Sequence, residues 1–189
     1  IAKDSDIVFT ALPHGASAEI VPHLIEKNIK IIDFSGDYRY KDINVYEKWY
    51  NLKHPSPHLL IDAVYGLPEL YRKEIAQKSL IANPGCYTTC SILALAPAVA
   101  NKLINIKGVI IDAKSGVTGA GRSASLAFSF CECAENMKAY KIVGHRHTSE
   151  IEQELSAIAK KQLNVTFTPH LVPQKRGILA TCYAELSDG

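Results

Sequence analysis

Residues 6–36 read as strand, turn, helix and strand, and that order restricts the fold more than anything else in the chain. "DIVFTAL" (6–12) is a short apolar run rich in β-formers, closed by the turn "PHGAS". "ASAEIVPHLIEKN" (16–28) sets Ile20, Val21, Leu24 and Ile25 at helical spacing, although Pro22 weakens the helix in its first half. "KIIDFSG" (30–36) is a second apolar strand. A crossover of this kind joins parallel strands, so the chain is expected to open on a parallel sheet.

The pattern then loosens. Residues 37–57 are polar and aromatic without a clean period, with one short helix expected near Tyr46. "AVYGLPELYR" carries turn signals at Gly66 and Pro68, and "SLIAN" (79–83) is another buried strand. The Ala- and Leu-rich stretch after Cys86 reads as a helix that Pro97 kinks or shortens. "KGVIIDAKSG" (107–116) is a strand, "GVTGAGRSAS" a glycine-rich loop, and "SFCECAENMKAYKI" either helix or loop. "GHRHTSEIEQELSAIAKKQL" is a turn and a helix with Ile151, Leu155 and Ile158 on one face. Two strands, in "NVTFTPHLVP" and "RGILATCYAEL", close the chain. The composition changes at Cys86, which sets a boundary between residues 1–85 and 86–189. The fold class expected is α/β: a partial Rossmann-type parallel sheet, then an α+β domain with a mixed sheet.

The 21 basic and 19 acidic residues leave a net charge of +2. That balance offers no electrostatic footprint for nucleic acid or an anionic membrane. No apolar run is long enough to span a bilayer. Five cysteines, an odd number at spacings of no disulfide scaffold, suggest free thiols and a reducing, cytoplasmic setting. The chain begins without Met, close to its first strand, and stops at "ELSDG" just after its last, as a fragment would.

Chemistry concentrates at "NPGCYTTC" (83–90). Pro84 holds Asn83 extended and ends the strand, and Gly85 permits the turn. Cys86 then falls at the first turn of a helix, where unpaired N–H groups and the helix dipole favour thiolate. The same N–H groups suit the oxyanion of a tetrahedral intermediate. A nucleophile and a buried packing cysteine both fit the octapeptide; Cys90, one turn later, reads as core. A thiolate nucleophile needs a proton partner, usually His. His145 and His147 in "GHRHTSE" are the candidates, with Thr148 or Ser149 as helix cap and Glu150 or Glu152 to complete it. The H-x-H pair also admits a metal, but no carboxylate or cysteine set stands at a familiar spacing, so no metal is expected. In "SGVTGAGR" (115–122), glycines allow close backbone approach and Arg122 can grip a carboxylate or phosphate. A plain surface loop fits that stretch equally well.

The stretches "ALPHGAS", "DFSGDYR", "VYGLPE", "NPGCYTT", "SGVTGAGR", "GHRHTSEIEQ" and "PHLVPQKRGI" occur in one order along nearly the whole chain. In that order they resemble the N-acetyl-γ-glutamyl-phosphate reductase family, relatives of the aspartate-semialdehyde and glyceraldehyde-phosphate dehydrogenases. The resemblance implies an NAD(P)-binding domain followed by a catalytic and dimerisation domain. It implies reduction of N-acetylglutamyl phosphate by NADP(H), with release of phosphate, in a homodimer or homotetramer of arginine biosynthesis. It assigns Cys86 as the acylated nucleophile and His147 as acid/base, with His145 nearer the substrate or oxyanion. Arg39, Arg122, Tyr140 and Glu150 fall at substrate or supporting positions. Pro13, His14, Gly15, Ser115 and Gly116 fall where the nicotinamide end would approach. The family's N-terminal glycine-rich turn and its C-terminal segment have no counterpart in this sequence, so weak cofactor binding by the isolated chain is expected. Thr88 stands where many relatives carry Pro. A Cys-His acyl hydrolase or transferase, a semialdehyde dehydrogenase of other substrate, and a non-enzymatic scaffold remain alternatives.

Overall fold

The βαβ unit stands at the start of the chain. A computed structural model, which describes residues 4–187, shows β1 (Ile7–Thr10), α1 (Ala16–Ile25) and β2 (Lys30–Asp33) in that order. α2 (Ile43–Tyr50), β3 (Ala63–Tyr65), α3 (Pro68–Gln77) and β4 (Leu80–Ala82) follow. All four strands run parallel in the order β1-β2-β4-β3. Ala18, Val21, Ile31, Leu80 and Ala82 form the buried core against this sheet. These elements make up the first of two compact units, Ile1–Gly85.

Pro22 does not end α1. A proline has no N–H for the carbonyl four residues back, so the Ala18 oxygen loses its helical donor. Ser56 Oγ donates to that oxygen at 2.7 Å, and the Tyr38 hydroxyl lies 3.5 Å from it. The helix therefore survives its proline because a side chain from a distant loop replaces the missing donor. β3 and α3 lie where the sequence shows only turn signals. β3 has three residues, and α3 begins on Pro68 and buries none of its side chains, so neither carries an apolar period.

The second unit, Cys86–Gly189, contains α4 (Cys86–Ala100), β5 (Val109–Ser115), α5 (Phe130–Cys133), β6 (Lys138–Ala139), α6 (His147–Ala159), β7 (Val165–Leu171) and β8 (Ile178–Tyr183). Its sheet is mixed, in the order β6-β7-β5-β8: β5 and β7 are parallel, the outer pairs antiparallel. α4 runs through Pro97 without a break. Residues 129–142, whose sequence admits helix or loop, hold the single turn α5 and the two-residue strand β6. On β5, Val109, Ile111 and Ala113 point into a core with Leu95 and Val99 of α4 and Ile151 and Leu155 of α6. The alternate residues Ile110, Asp112 and Lys114 face away from that core. No helix among the described residues is long and apolar enough to cross a membrane.

Candidate active site

Two helices of the second unit begin on the residues of interest. α4 starts at Cys86 and α6 at His147. The first N–H groups of a helix have no intrahelical partner, so each start is electropositive. Cys86 is exposed, whereas the next two residues, Tyr87 and Thr88, are buried. Tyr87 links the two helix starts. Its ring centroid lies 5.7 Å from that of His145 and 6.1 Å from that of His147, both edge-on. Phe167 of β7 closes the cluster against Tyr87 and His145.

The two imidazoles are not equivalent. His145 Nδ1 accepts a hydrogen bond from the His147 backbone N–H at 3.1 Å. His145 thus caps α6 with its own ring, the task expected of Thr148 or Ser149. With Nδ1 accepting, the ring proton of neutral His145 sits on Nε2. Burial, followed by the charges of His147, Lys141 and Arg146, lowers its pKa to about 3. His145 is therefore a neutral donor in the physiological range.

Tyr140 donates to the Tyr87 hydroxyl at 3.1 Å, and Tyr87 donates to the His170 carbonyl at 3.2 Å. Burial and the bond to Tyr87, with a smaller contribution from the Cys86 charge, hold Tyr140 well above the ordinary tyrosine range. Tyr140 thus stays protonated. Glu150, expected at a substrate or supporting position, has none of its surface exposed and accepts from Thr88 Oγ1 at 3.0 Å. Its place is inside the packing of α4 against α6 rather than against a ligand. Glu152 is equally occupied, accepting from the Val165 N–H.

The glycine-rich loop has an internal reason for its first glycine. A Cβ on Gly116 would stand 2.7–2.9 Å from the backbone of Arg176. The contact is drawn tight by Gly116 N–H to Gly177 O, Val117 N–H to Gln174 O and Thr118 N–H to Lys175 O. Ser115 is buried and its Oγ bonds to the Gly116 carbonyl. Arg122 lies exposed beyond this zipped segment.

Four of the expected site residues belong to the first unit. Gly15 takes φ +87°, a left-handed conformation that glycine adopts without strain. Its N–H and that of Ala18 donate to the Asp37 carboxylate, at 2.9 and 3.1 Å. The Tyr46 hydroxyl donates to the same carboxylate. An internal anion thus fills the N-terminus of α1, the place where a parallel α/β sheet often holds a phosphate. His14 Nδ1 accepts from the Gly36 N–H, and Arg39, only 7% exposed, donates to the Phe34 carbonyl. Pro13 is exposed at the carboxyl end of β1, next to the exposed Leu12, and Phe34 is exposed at the end of β2. That apolar rim suits a flat ring; the filled helix end does not suit a pyrophosphate. Among the described residues no group of three His, Cys, Asp or Glu side chains is placed to hold a metal.

Sequence and structure comparisons agree with this layout. Residues 86–189 match the family described as semialdehyde dehydrogenase, dimerisation domain, and residues 1–78 match semialdehyde dehydrogenase, NAD binding domain. The chain belongs to the semialdehyde dehydrogenase family. Among the curated relatives of this semialdehyde dehydrogenase family member are three proteins named N-acetyl-gamma-glutamyl-phosphate reductase. That of Acetivibrio thermocellus is 60% identical over 99% of this chain and 54% of its own length. That of Clostridium novyi is 59% identical over 97% and 53%. That of Syntrophobacter fumaroxidans is 55% identical over 100% and 55%. The chain spans about half the length of the curated relatives it matches. Among solved structures, aspartate semialdehyde dehydrogenase II from Vibrio cholerae superposes with a TM-score of 0.65 at 19% identity, covering 95% of this chain and 55% of that one. The Candida albicans enzyme with NADP superposes at 0.63 and 14%, covering 97% and 51%. These two likenesses speak for the fold alone.

Tyr87, Thr88 and Asp37 did not stand out in the sequence. Tyr87 and Thr88 lie beside Cys86, but only the folded chain shows that they reach His145, His147 and Glu150 at the start of another helix. Asp37, in "SGDYR", gives no local sign that it caps a helix some twenty residues before it.

Proposed function

We propose that the protein is an N-acetyl-γ-glutamyl-phosphate reductase, which converts N-acetyl-L-glutamyl 5-phosphate to N-acetyl-L-glutamate 5-semialdehyde and phosphate in the arginine pathway of the cytoplasm. The observation that carries the reading is the contact of Tyr87, the residue after the exposed Cys86, with both imidazoles of "GHRH". The names of the relatives supply the substrate. In this reading the Cys86 thiolate attacks the acyl carbon, phosphate leaves, and a thioester forms on sulfur. The N–H groups of the first turn of α4 stabilise the oxyanion. A bound NADPH supplies the hydride for the reduction of the thioester. His147 holds a proton at the acyl oxygen while charge develops there, and recovers it as the carbon–sulfur bond breaks. His145, neutral and protonated at Nε2, is suited to orient and donate but not to shuttle the proton.

Pro13, His14 and Gly15 of the first unit and Ser115 and Gly116 of the second are the residues assigned to the nicotinamide side. Arg39 and Arg122 are the cations assigned to the substrate. Arg122 is the better candidate, because its side chain is exposed and that of Arg39 is turned to the Phe34 carbonyl. A second copy of the chain is the partner assigned to the second unit. The sheet face opposite α4 and α6 carries the exposed Ile110, Leu179 and Tyr183, and the matched family is a dimerisation domain.

The test is NADPH oxidation by the full-length protein with N-acetylglutamyl phosphate as sole acceptor. Substrate-dependent oxidation that Cys86→Ser abolishes is the expected result. Release of phosphate without NADPH consumption would instead favour a Cys-His acyl hydrolase.

A further inference from the structure

Cys86 and His147 are each the first residue of a helix, so their separation is set by how α4 and α6 are held together near their starts. Thr88 lies two residues into α4 and Glu150 three residues into α6. Both are completely buried, and the Thr88 hydroxyl donates to Glu150 Oε1 at 3.0 Å. Further along, the helices meet through apolar side chains such as Leu95, Val99, Ile151 and Leu155. Such contacts are non-directional and tolerate small slides and rotations. A hydrogen bond to a carboxylate is directional and, away from water, stronger than one between neutral groups. The bond lies within one helical turn of both reacting groups. There a small displacement of one helix carries straight through to the thiol or the imidazole.

We propose that Thr88 and Glu150 form a strut that fixes the Cys86 thiol relative to the His147 imidazole, making both positioning residues for the reaction. The proposal rests on the assignment of Cys86 and His147 above. It also gives Thr88, a position at which the sequence suggested no role, a specific task. Proline at this place has no hydroxyl, so a chain carrying it needs another means of holding Glu150. Neither Thr88 nor Glu150 reaches the surface, so the strut acts through the groups it holds rather than by touching substrate.

The experiment compares Thr88→Val, which keeps the shape and removes the donor, with Thr88→Ser, which keeps the donor. NADPH oxidation is followed in the enzyme, and the Cys86 alkylation rate by iodoacetamide is followed from pH 5 to 9. For Thr88→Val the expected result is a fall of about ten- to a hundredfold in kcat with KM unchanged, the scale of a misplaced reacting group. Its alkylation profile should move toward that of His147→Ala. Thr88→Ser should restore both. Wild-type kcat and an unmoved profile in a folded Thr88→Val would overturn the strut. So would equal loss in the Val and Ser variants, which marks packing alone. Because alkylation needs no substrate, the strut is read even if the substrate assignment is wrong. Absence of reductase activity in the wild-type enzyme would count against that assignment, while the alkylation profiles would still judge the strut.

Discussion

At the scale of single residues, the pair in "GHRH" shows how two identical side chains acquire different chemistry. His145 is buried, neighbours cations, and gives its Nδ1 to a backbone N–H; all three features favour the neutral ring. Its folded pKa of about 3 lies below the 6.5 of the free side chain, so between these values the unfolded chain binds more protons. The stabilisation from neutral His145 is therefore complete above pH 6.5 and is lost as pH falls toward 3. Urea unfolding midpoints should decline over that range, and His145→Gln should flatten the decline. Nitrogen NMR should find His145 in the Nε2–H tautomer throughout pH 5–8. A titration step for His145 within that range would contradict the assignment. Cys86 is expected to be the thiol alkylated first by iodoacetamide at mildly acidic pH, as read by mass spectrometry. Cys131 is also exposed but sits in the single-turn α5 rather than at the start of a long helix.

At the scale of elements, two features fit local rules only through distant partners. α1 contains Pro22 and survives because Ser56 supplies the donor that the Ala18 carbonyl lacks. Ser56→Ala should cost about 1–3 kcal/mol in chemical denaturation, the range for a buried acceptor left without its bond. In a Pro22→Ala background the helix regains its own N–H, and the same change should cost clearly less; equal costs would show that proline and serine are uncoupled. The glycine-rich loop is the second case. Gly116→Ala places a methyl against the Arg176 backbone, and a destabilisation of about 1–3 kcal/mol is expected from the overpacking. Faster hydrogen exchange at the Val117 and Thr118 amides, whose acceptors are Gln174 and Lys175, would accompany it.

At the scale of the molecule, each unit holds its own sheet and its own core. The second has one sheet face covered by α4 and α6 and the other bare. Ile110 stands opposite Tyr183 in register, and Lys114 opposite Leu179, so these side chains share the bare face. Asp112 lies between them, with Lys114 and His170 as its neighbours. If a second copy covers this face, Leu179→Asp should shift sedimentation toward the monomer while leaving circular dichroism unchanged. An unaltered sedimentation profile would move the subunit contact elsewhere. The half-buried charges at the centre would pair with, or be desolvated by, the partner, which makes the association sensitive to salt.

By itself the sequence determined the parallel opening sheet, the helix after Cys86 and the amphipathic helix after "GHRH". Each is a matter of local periodicity, turn residues and capping, which neighbouring residues express without help. It also singled out the cysteine and the two histidines, because few residue types perform acyl chemistry. The tertiary structure alone decided what those residues face. β3 and α3 were invisible because a three-residue strand is too short to show a period and α3 has no fully buried side chain. The neutral state of His145, the burial of Glu150 against Thr88 and the filling of the α1 N-terminus by Asp37 all depend on burial or on partners distant in sequence. Burial and hydrogen bonding between remote segments set protonation and orientation, and neither is encoded at one place along the chain.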